Sequence, residues 1–139
     1  MSHSATDAAP FPDGLTPALR ERFPDALALY AFGSRIANTA RADSDLDLAV
    51  LLPGYADPLV LWRTAQELAE ISQCPVDLLD LRAASTVMQH QVLTTGRRLW
   101  STEPAAGLFE AYAMSEKLAL DEARAGLLAD IAREGRIHA

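Results

Sequence analysis

Short apolar runs and helix-period stripes alternate along this chain, separated by clear breaks. Residues 26–32 form an almost wholly apolar run. Its length suits a buried strand, although its alanine and leucine content would also suit a helix. The Gly33-Ser34 turn that follows decides for a strand. Residues 45–52 predict a second strand, stopped by Pro53-Gly54, in which Leu46, Leu48 and Val50 alternate with Asp45 and Asp47. The leucines and valine should face a core. Residues 75–81 predict a third strand and residues 97–101 a short closing one.

The helices are marked by their starts. Thr16 before Pro17 reads as an N-cap with proline at the first helical position, giving a short helix over 17–22 that ends before Pro24. Asp57-Pro58 opens a helix running to about residue 73, with an apolar stripe of Leu61, Ala65, Leu68 and either Ile71 or Ser72. Ser85 caps another, through Val87, Met88, Gln91 and Val92 to Gly96. Residues 103–134 read as one long helix, with Gly107 as a candidate break. Leu108, Tyr112, Ser115, Ala119, Glu122 and Gly126 recur on its period. That stripe is only weakly apolar, so the helix either packs along the domain or offers itself to a partner. Strand, helix, strand implies a mixed or parallel sheet with the helix on one face. The expected organisation is a disordered stretch over 1–14, a compact α/β (α+β) domain over 15–101, and a C-terminal helix over 102–139.

Composition narrows the class. A chain of 139 residues is long enough for one domain with a proper core. Hydrophobic residues at 50% and charged residues at 22% fit a globular protein rather than a disordered one. No apolar run approaches the ~20 residues of a membrane helix. Residues 1–10 lack the basic region and apolar core of a signal peptide. A single cysteine, Cys74, allows no intrachain disulfide and suits a reducing cytoplasm. A net charge of −7 argues against a nucleic-acid backbone as the main partner. Bound metal would offset part of that acidity.

The candidate chemistry lies between the first two strands. Gly33-Ser34 is followed, after ten residues, by Asp45-Leu46-Asp47. Side chains two apart on a strand share a face, so Asp45 and Asp47 present paired carboxylates that need a cation or a shared proton. Hard oxygen ligands select Mg²⁺ or a similar ion. A glycine-serine turn opening a helix places free backbone N–H groups where a phosphate can sit. Gly33 lets the chain approach without a Cβ, and Ser34 can donate to a phosphate oxygen. Arg35 and Arg41 are candidate cationic contacts to the same phosphates, with solvated surface arginines as the competing reading. Together these features suggest phosphoryl or nucleotidyl transfer. His3, His90 and His138 show no metal-site spacing. Trp62 and Trp100 read as packing residues.

Gly-Ser, a spacer and Asp-x-Asp between two apolar strands resemble the polymerase-beta-like nucleotidyltransferase superfamily. The small size most resembles the minimal nucleotidyltransferases (MNT), antitoxin partners of HEPN toxins. The resemblance covers roughly 27–100 and implies that superfamily's fold: a small mixed sheet flanked by helices, with a long C-terminal helix. It also implies a third carboxylate on a later strand, for which Asp77 and Asp80 compete. Val76 and Leu78 alternate with Asp77, which places Asp77 on the face opposite them, whereas Asp80 shares theirs unless it already lies beyond the strand end. Asp77 is thus the expected third acid, and Asp80 a surface or turn residue.

In related enzymes the third acid binds metal and helps to deprotonate the attacking hydroxyl. The resemblance implies Asp45, Asp47 and Asp77 around two Mg²⁺ ions, with ATP as donor. The acceptor would be a tyrosine of the cognate HEPN ribonuclease toxin, which AMP transfer silences, and an oligomer with that toxin is expected. Two alternatives stand beside this. One is a non-catalytic antitoxin that blocks the toxin by contact. The other is a small-molecule nucleotidyltransferase of the aminoglycoside type, for which this chain has little room to carry a second substrate domain.

Overall fold

A computed structural model describes residues 14–33 and 45–138, with side chains through residue 135. Four strands and four helices follow in the order α1 (Leu15–Arg22), β1 (Ala28–Phe32), β2 (Leu46–Leu51), α2 (Pro58–Ser72), β3 (Val76–Asp80), α3 (Thr86–Thr95), β4 (Arg97–Ser101) and α4 (Ala105–His138). The expected disorder of the N-terminus, and the positions of Ser34, Arg35 and Arg41, lie outside the described residues.

The strands form one sheet in the order β3-β2-β1-β4. β1 is antiparallel to both β2 and β4, and β2 is parallel to β3. The mixed sheet expected from the sequence is therefore present. A parallel pair cannot be closed by a hairpin, and α2 supplies the crossover from β2 to β3. β2 is central and covered on both sides, and Leu48, Ala49, Val50 and Leu51 are all fully buried. This explains why its C-terminal half reads as continuous apolar sequence rather than alternation.

Each face has its own core. On one side Leu29, Leu46, Leu48, Val50 and Leu78 pack with Leu15 and Leu19 of α1 and Ala65 and Leu68 of α2. On the other, Ala28, Tyr30, Ala49 and Leu51 pack with Val92 of α3 and with Ala106, Phe109 and Ala113 of α4. Leu46, Leu48 and Val50 thus face the core expected of them. By alternation, Asp47 and Asp77 emerge on the opposite face, the one that carries α3 and α4.

Local chemistry sets most boundaries. Asp57 caps α2, accepting from the Leu59 N–H at 2.9 Å, with Pro58 in the first turn. Ser85 caps α3, accepting from the Met88 N–H at 3.1 Å. α1 departs from expectation: it begins at Leu15 with Gly14 at the N-cap, and Thr16 caps nothing. Leu15 and Leu19, one turn apart and fully buried, draw the helix start upstream, and Pro17 stays in the first turn where its missing N–H costs nothing.

Several packing expectations are corrected. Trp62 points outward from α2 and is 62% exposed, being one position off the inward stripe of half-buried Leu61 and buried Ala65 and Leu68. Ser72, not Ile71, completes that stripe, with its hydroxyl donating to the Leu68 carbonyl. Trp100 does pack, half-buried, with the Arg20 guanidinium 4.1 Å from its ring centroid. α4 runs unbroken through Gly107. Its packed seam is Ala106, Phe109 and Ala113, whereas Leu108 and Tyr112 of the expected stripe are exposed. Phe109 outweighs the alternative register because it brings a large apolar ring to the sheet.

Asp80 is also corrected. It is the last residue of β3 and buried, not a surface residue. Its carboxylate accepts from the Ala56 N–H at 2.8 Å and the Arg82 N–H at 3.2 Å, tying the β2–α2 loop to the end of β3. Truncating it would strand a part-buried N–H. Asp80→Ala is expected to lower stability by about 1–3 kcal/mol in urea unfolding, whereas Asp77→Ala, at an exposed side chain, should change it by under about 0.5 kcal/mol. Equal losses would show that Asp80 does not anchor the loop.

Candidate active site

The site lies where the C-terminal end of β1 meets the N-terminal ends of β2 and β3. Phe32 pairs with Asp47 across β1 and β2, and Asp47 with Asp77 across β2 and β3. Neighbouring strands lie about 4.8 Å apart, and directly paired residues project to the same side. The parallel register therefore sets two carboxylates side by side. Asp45 stands just before β2, exposed, and two residues from Asp47. Sequence reasoning assigned Asp77 to this face and Asp80 to the other, and the structure places both so.

The electrostatics record this crowding. The Asp47 carboxyl is held above its ordinary value, first by burial, then by the Asp77 charge, then by that of Asp45. Among the described residues, no three His, Cys, Asp or Glu side chains form a ready metal cage. The three aspartates influence one another without converging on a point. Their chemistry nevertheless fits a hard divalent cation, since all the donors are carboxylate oxygens and a cation would relieve the repulsion that Asp47 feels.

Gly33 has a role that the sequence hid. Its φ is +84°, in the left-handed region, and a Cβ there would lie 2.1 Å from Asp47 Oδ2 and 3.0 Å from its Cγ. The glycine makes room for the Asp47 carboxylate, beyond any approach to a phosphate. Its place immediately after an apolar strand was the visible signal. The partner it accommodates lies fourteen residues downstream, across the sheet.

A second polar group on this face went unforeseen. Tyr30, buried beneath α4, donates its hydroxyl to Glu110 at 2.7 Å. Arg98 Nη1 donates to Glu110 and to Glu103, each at 3.0 Å. Burial, then the bond to Glu110, push the Tyr30 phenol well above its usual value, so it stays a neutral donor. The group ties the first turns of α4 to β1 and β4.

A model of the polymerase beta nucleotidyltransferase family matches residues 15–105. The chain belongs to this family. The match spans every strand and every helix but α4. A curated relative, the protein adenylyltransferase MntA of Shewanella oneidensis, is 38% identical over 113 residues, which are 81% of each chain. Among solved structures, a toxin–antitoxin crystal structure with AMP-PNP superposes with a TM-score of 0.77 at 36% identity, covering 86% of this chain and 96% of that one. A tri-AMPylated Shewanella oneidensis HEPN toxin in complex with MNT antitoxin gives 0.71 at 34% identity, covering 86% and 94%. The family resemblance seen in the Gly-Ser and Asp-x-Asp pattern is thus borne out, as is the fold.

Two outcomes test the geometry. Gly33→Ala forces a side chain into left-handed backbone, at about 1–2 kcal/mol, and displaces the Asp47 carboxylate. Divalent-cation affinity, read by calorimetry, should fall at least about tenfold, or about 1.4 kcal/mol, and an unchanged affinity would mean that Gly33 does not shape the site. Asp47 holds its proton more tightly in the folded chain than in the unfolded one. Its contribution to stability is therefore present at acid pH and lost as pH rises through the folded-state value. In EDTA, Asp47→Asn should melt above wild type at pH 8, with the gap closing toward pH 4. A gap independent of pH would remove charge repulsion as its cause.

Proposed function

We propose that this nucleotidyltransferase moves AMP from ATP to a tyrosine hydroxyl of a cognate HEPN ribonuclease toxin and so acts as its antitoxin. The observation that carries this reading is the paired register of Asp47 and Asp77 beside Gly33. It joins a candidate cation site to a turn suited to phosphate on a chain that belongs to the nucleotidyltransferase family. The relatives supply the substrate class, one being named a protein adenylyltransferase and another standing in a complex with an AMPylated HEPN toxin.

Asp45, Asp47 and Asp77 would hold Mg²⁺, two ions in this reading. Bound there, the metal supplies Lewis-acid stabilisation of the charge that develops on the phosphates. Asp77, on the exposed side of the pair, accepts the proton of the tyrosine hydroxyl. The phenolic oxygen then forms a bond to the α-phosphorus of ATP. The bond from that phosphorus to the oxygen bridging to the β-phosphate breaks, and pyrophosphate leaves. Gly33, Ser34, Arg35 and Arg41 hold the β- and γ-phosphates, so that the leaving group departs in line. No described helix is long and apolar enough to cross a membrane. Cys74 is free, which suits a reducing cytoplasm.

The test is mass spectrometry of the HEPN protein after incubation with this chain, ATP and Mg²⁺. AMP should appear on a tyrosine. Asp77→Asn should cut the rate by about 10²–10⁴-fold, and Asp45→Ala with Asp47→Ala should abolish transfer. Silencing of the toxin by that double variant at substoichiometric amounts would rule out chemistry as the mechanism. Absence of AMP with the wild-type chain under any divalent metal would leave neutralisation by contact in its place.

A further inference from the structure

The site residues are ordered across the sheet. Gly33 follows β1, Asp47 lies on β2, and Asp77 lies on β3, which is an end strand. Phosphoryl transfer needs the attacking and leaving oxygens roughly in line. With the leaving pyrophosphate held beside Gly33, the acceptor hydroxyl must arrive from the opposite side, the side of β3.

The outer edge of β3 is open to pairing. Pro75 O accepts from the Leu46 N–H at 2.9 Å, and the Leu81 N–H donates to Val50 O at 3.0 Å. Residues 75, 77, 79 and 81 therefore turn their backbone groups toward β2, and by alternation Val76 and Leu78 turn theirs outward. Among the described residues, β3 pairs with β2 alone. A free strand edge of this kind takes an incoming strand through its main chain, with side-chain sites on either face giving specificity. Both faces offer such sites here. Asp77, exposed, and Leu79, half-buried, share the face of Asp47. On the other face a cavity of about 450 Å³ lies between the start of β3 and α2, lined by Gln66, Ala69, Glu70, Cys74, Pro75 and Val76.

We propose that the acceptor docks as a fifth strand: an extended segment of the HEPN protein pairs with the free edge of β3 and sets its tyrosine directly beside Asp77. Paired side chains share a face, with Cβ atoms about 4.5–5.5 Å apart, so the tyrosine reaches across Asp77 toward the cation site. The residue two places along the segment meets Leu79 and is apolar. The residue next to the tyrosine points to the other face and enters the cavity, where Gln66 and Glu70 favour a basic or amide side chain. The assignment rests on the transfer reading above and extends it from the reacting atoms to how the acceptor is presented.

Val76 is the first residue of β3, a position where a proline whose missing N–H faces outward is tolerated. Val76→Pro removes one outward donor, and Val76→Ala keeps it. ATP–Mg²⁺ affinity, read by calorimetry, should match wild type in both. Val76→Pro should raise the acceptor KM for AMP transfer to the cognate HEPN protein about five- to a hundredfold over Val76→Ala, as expected when a partner carbonyl is left unpaired. Equal KM values in the two variants, with ATP affinity intact, overturn the proposal. Amide exchange of the wild-type chain, followed residue by residue by NMR, keeps the test independent of how Val76→Pro folds. The Val76 and Leu78 N–H groups should exchange at least about tenfold more slowly once the HEPN protein and a non-hydrolysable ATP analogue are added. Unchanged exchange at both overturns the proposal. So does the same slowing in the chain alone at high concentration, since a second copy would then be the occupant. Should wild type transfer no AMP, exchange at Val76 and Leu78 still decides the edge pairing, and only the transfer reading falls.

Discussion

The structure turns on one constraint: two like charges, Asp47 and Asp77, are held side by side by a parallel strand pair. Parallel pairing cannot be made locally. It requires α2 to carry the chain over the sheet and return it to the same end, where β2 and β3 both begin. The two-sided core follows, because β2 must be covered by α1 and α2 on one face and by α3 and α4 on the other. The carboxylates sit at the rim of that core, half in and half out. There burial and mutual repulsion raise the Asp47 carboxyl, and the fold bears this strain because Leu46, Leu48 and Leu78 anchor the same strands from behind.

Two carboxylates of similar sequence context acquire opposite roles through the pleat. Asp77 projects toward solvent beside Asp47, whereas Asp80 turns inward and accepts hydrogen bonds from the backbone N–H groups of Ala56 and Arg82. Asp47 shows a raised carboxyl because burial, then the charges of Asp77 and Asp45, disfavour its charged form, and Asp80 is structural because backbone N–H groups donate to it. Gly33 belongs to the same arrangement, since a side chain there would occupy the space the Asp47 carboxylate needs.

Much of this was legible in the sequence where local chemistry decides. Asp57-Pro58, Ser85 and Gly96 bounded α2 and α3, and alternation separated Asp77 from Asp80. What was not legible depended on partners far along the chain. Nothing near Asp80 tells that the Ala56 N–H will reach it, and nothing near Tyr30 points to Glu110, eighty residues away. The seam of α4 was misjudged by one position because alanines populate every face of that helix, so that Phe109 alone distinguishes the packed side. Thr16 carried the composition of a cap, but the burial of Leu15 and Leu19 overrode it.

We propose that Asp47 and Asp77, with Asp45, share a divalent cation that relieves the repulsion at Asp47. Anomalous diffraction from crystals grown with Mn²⁺ and a non-hydrolysable ATP analogue tests it most directly. A metal peak is expected within about 2.0–2.3 Å of carboxylate oxygens of both Asp47 and Asp77, with the analogue's phosphates beside Gly33. A metal bound at Asp80 instead, or an analogue bound with no metal touching Asp47, would contradict it.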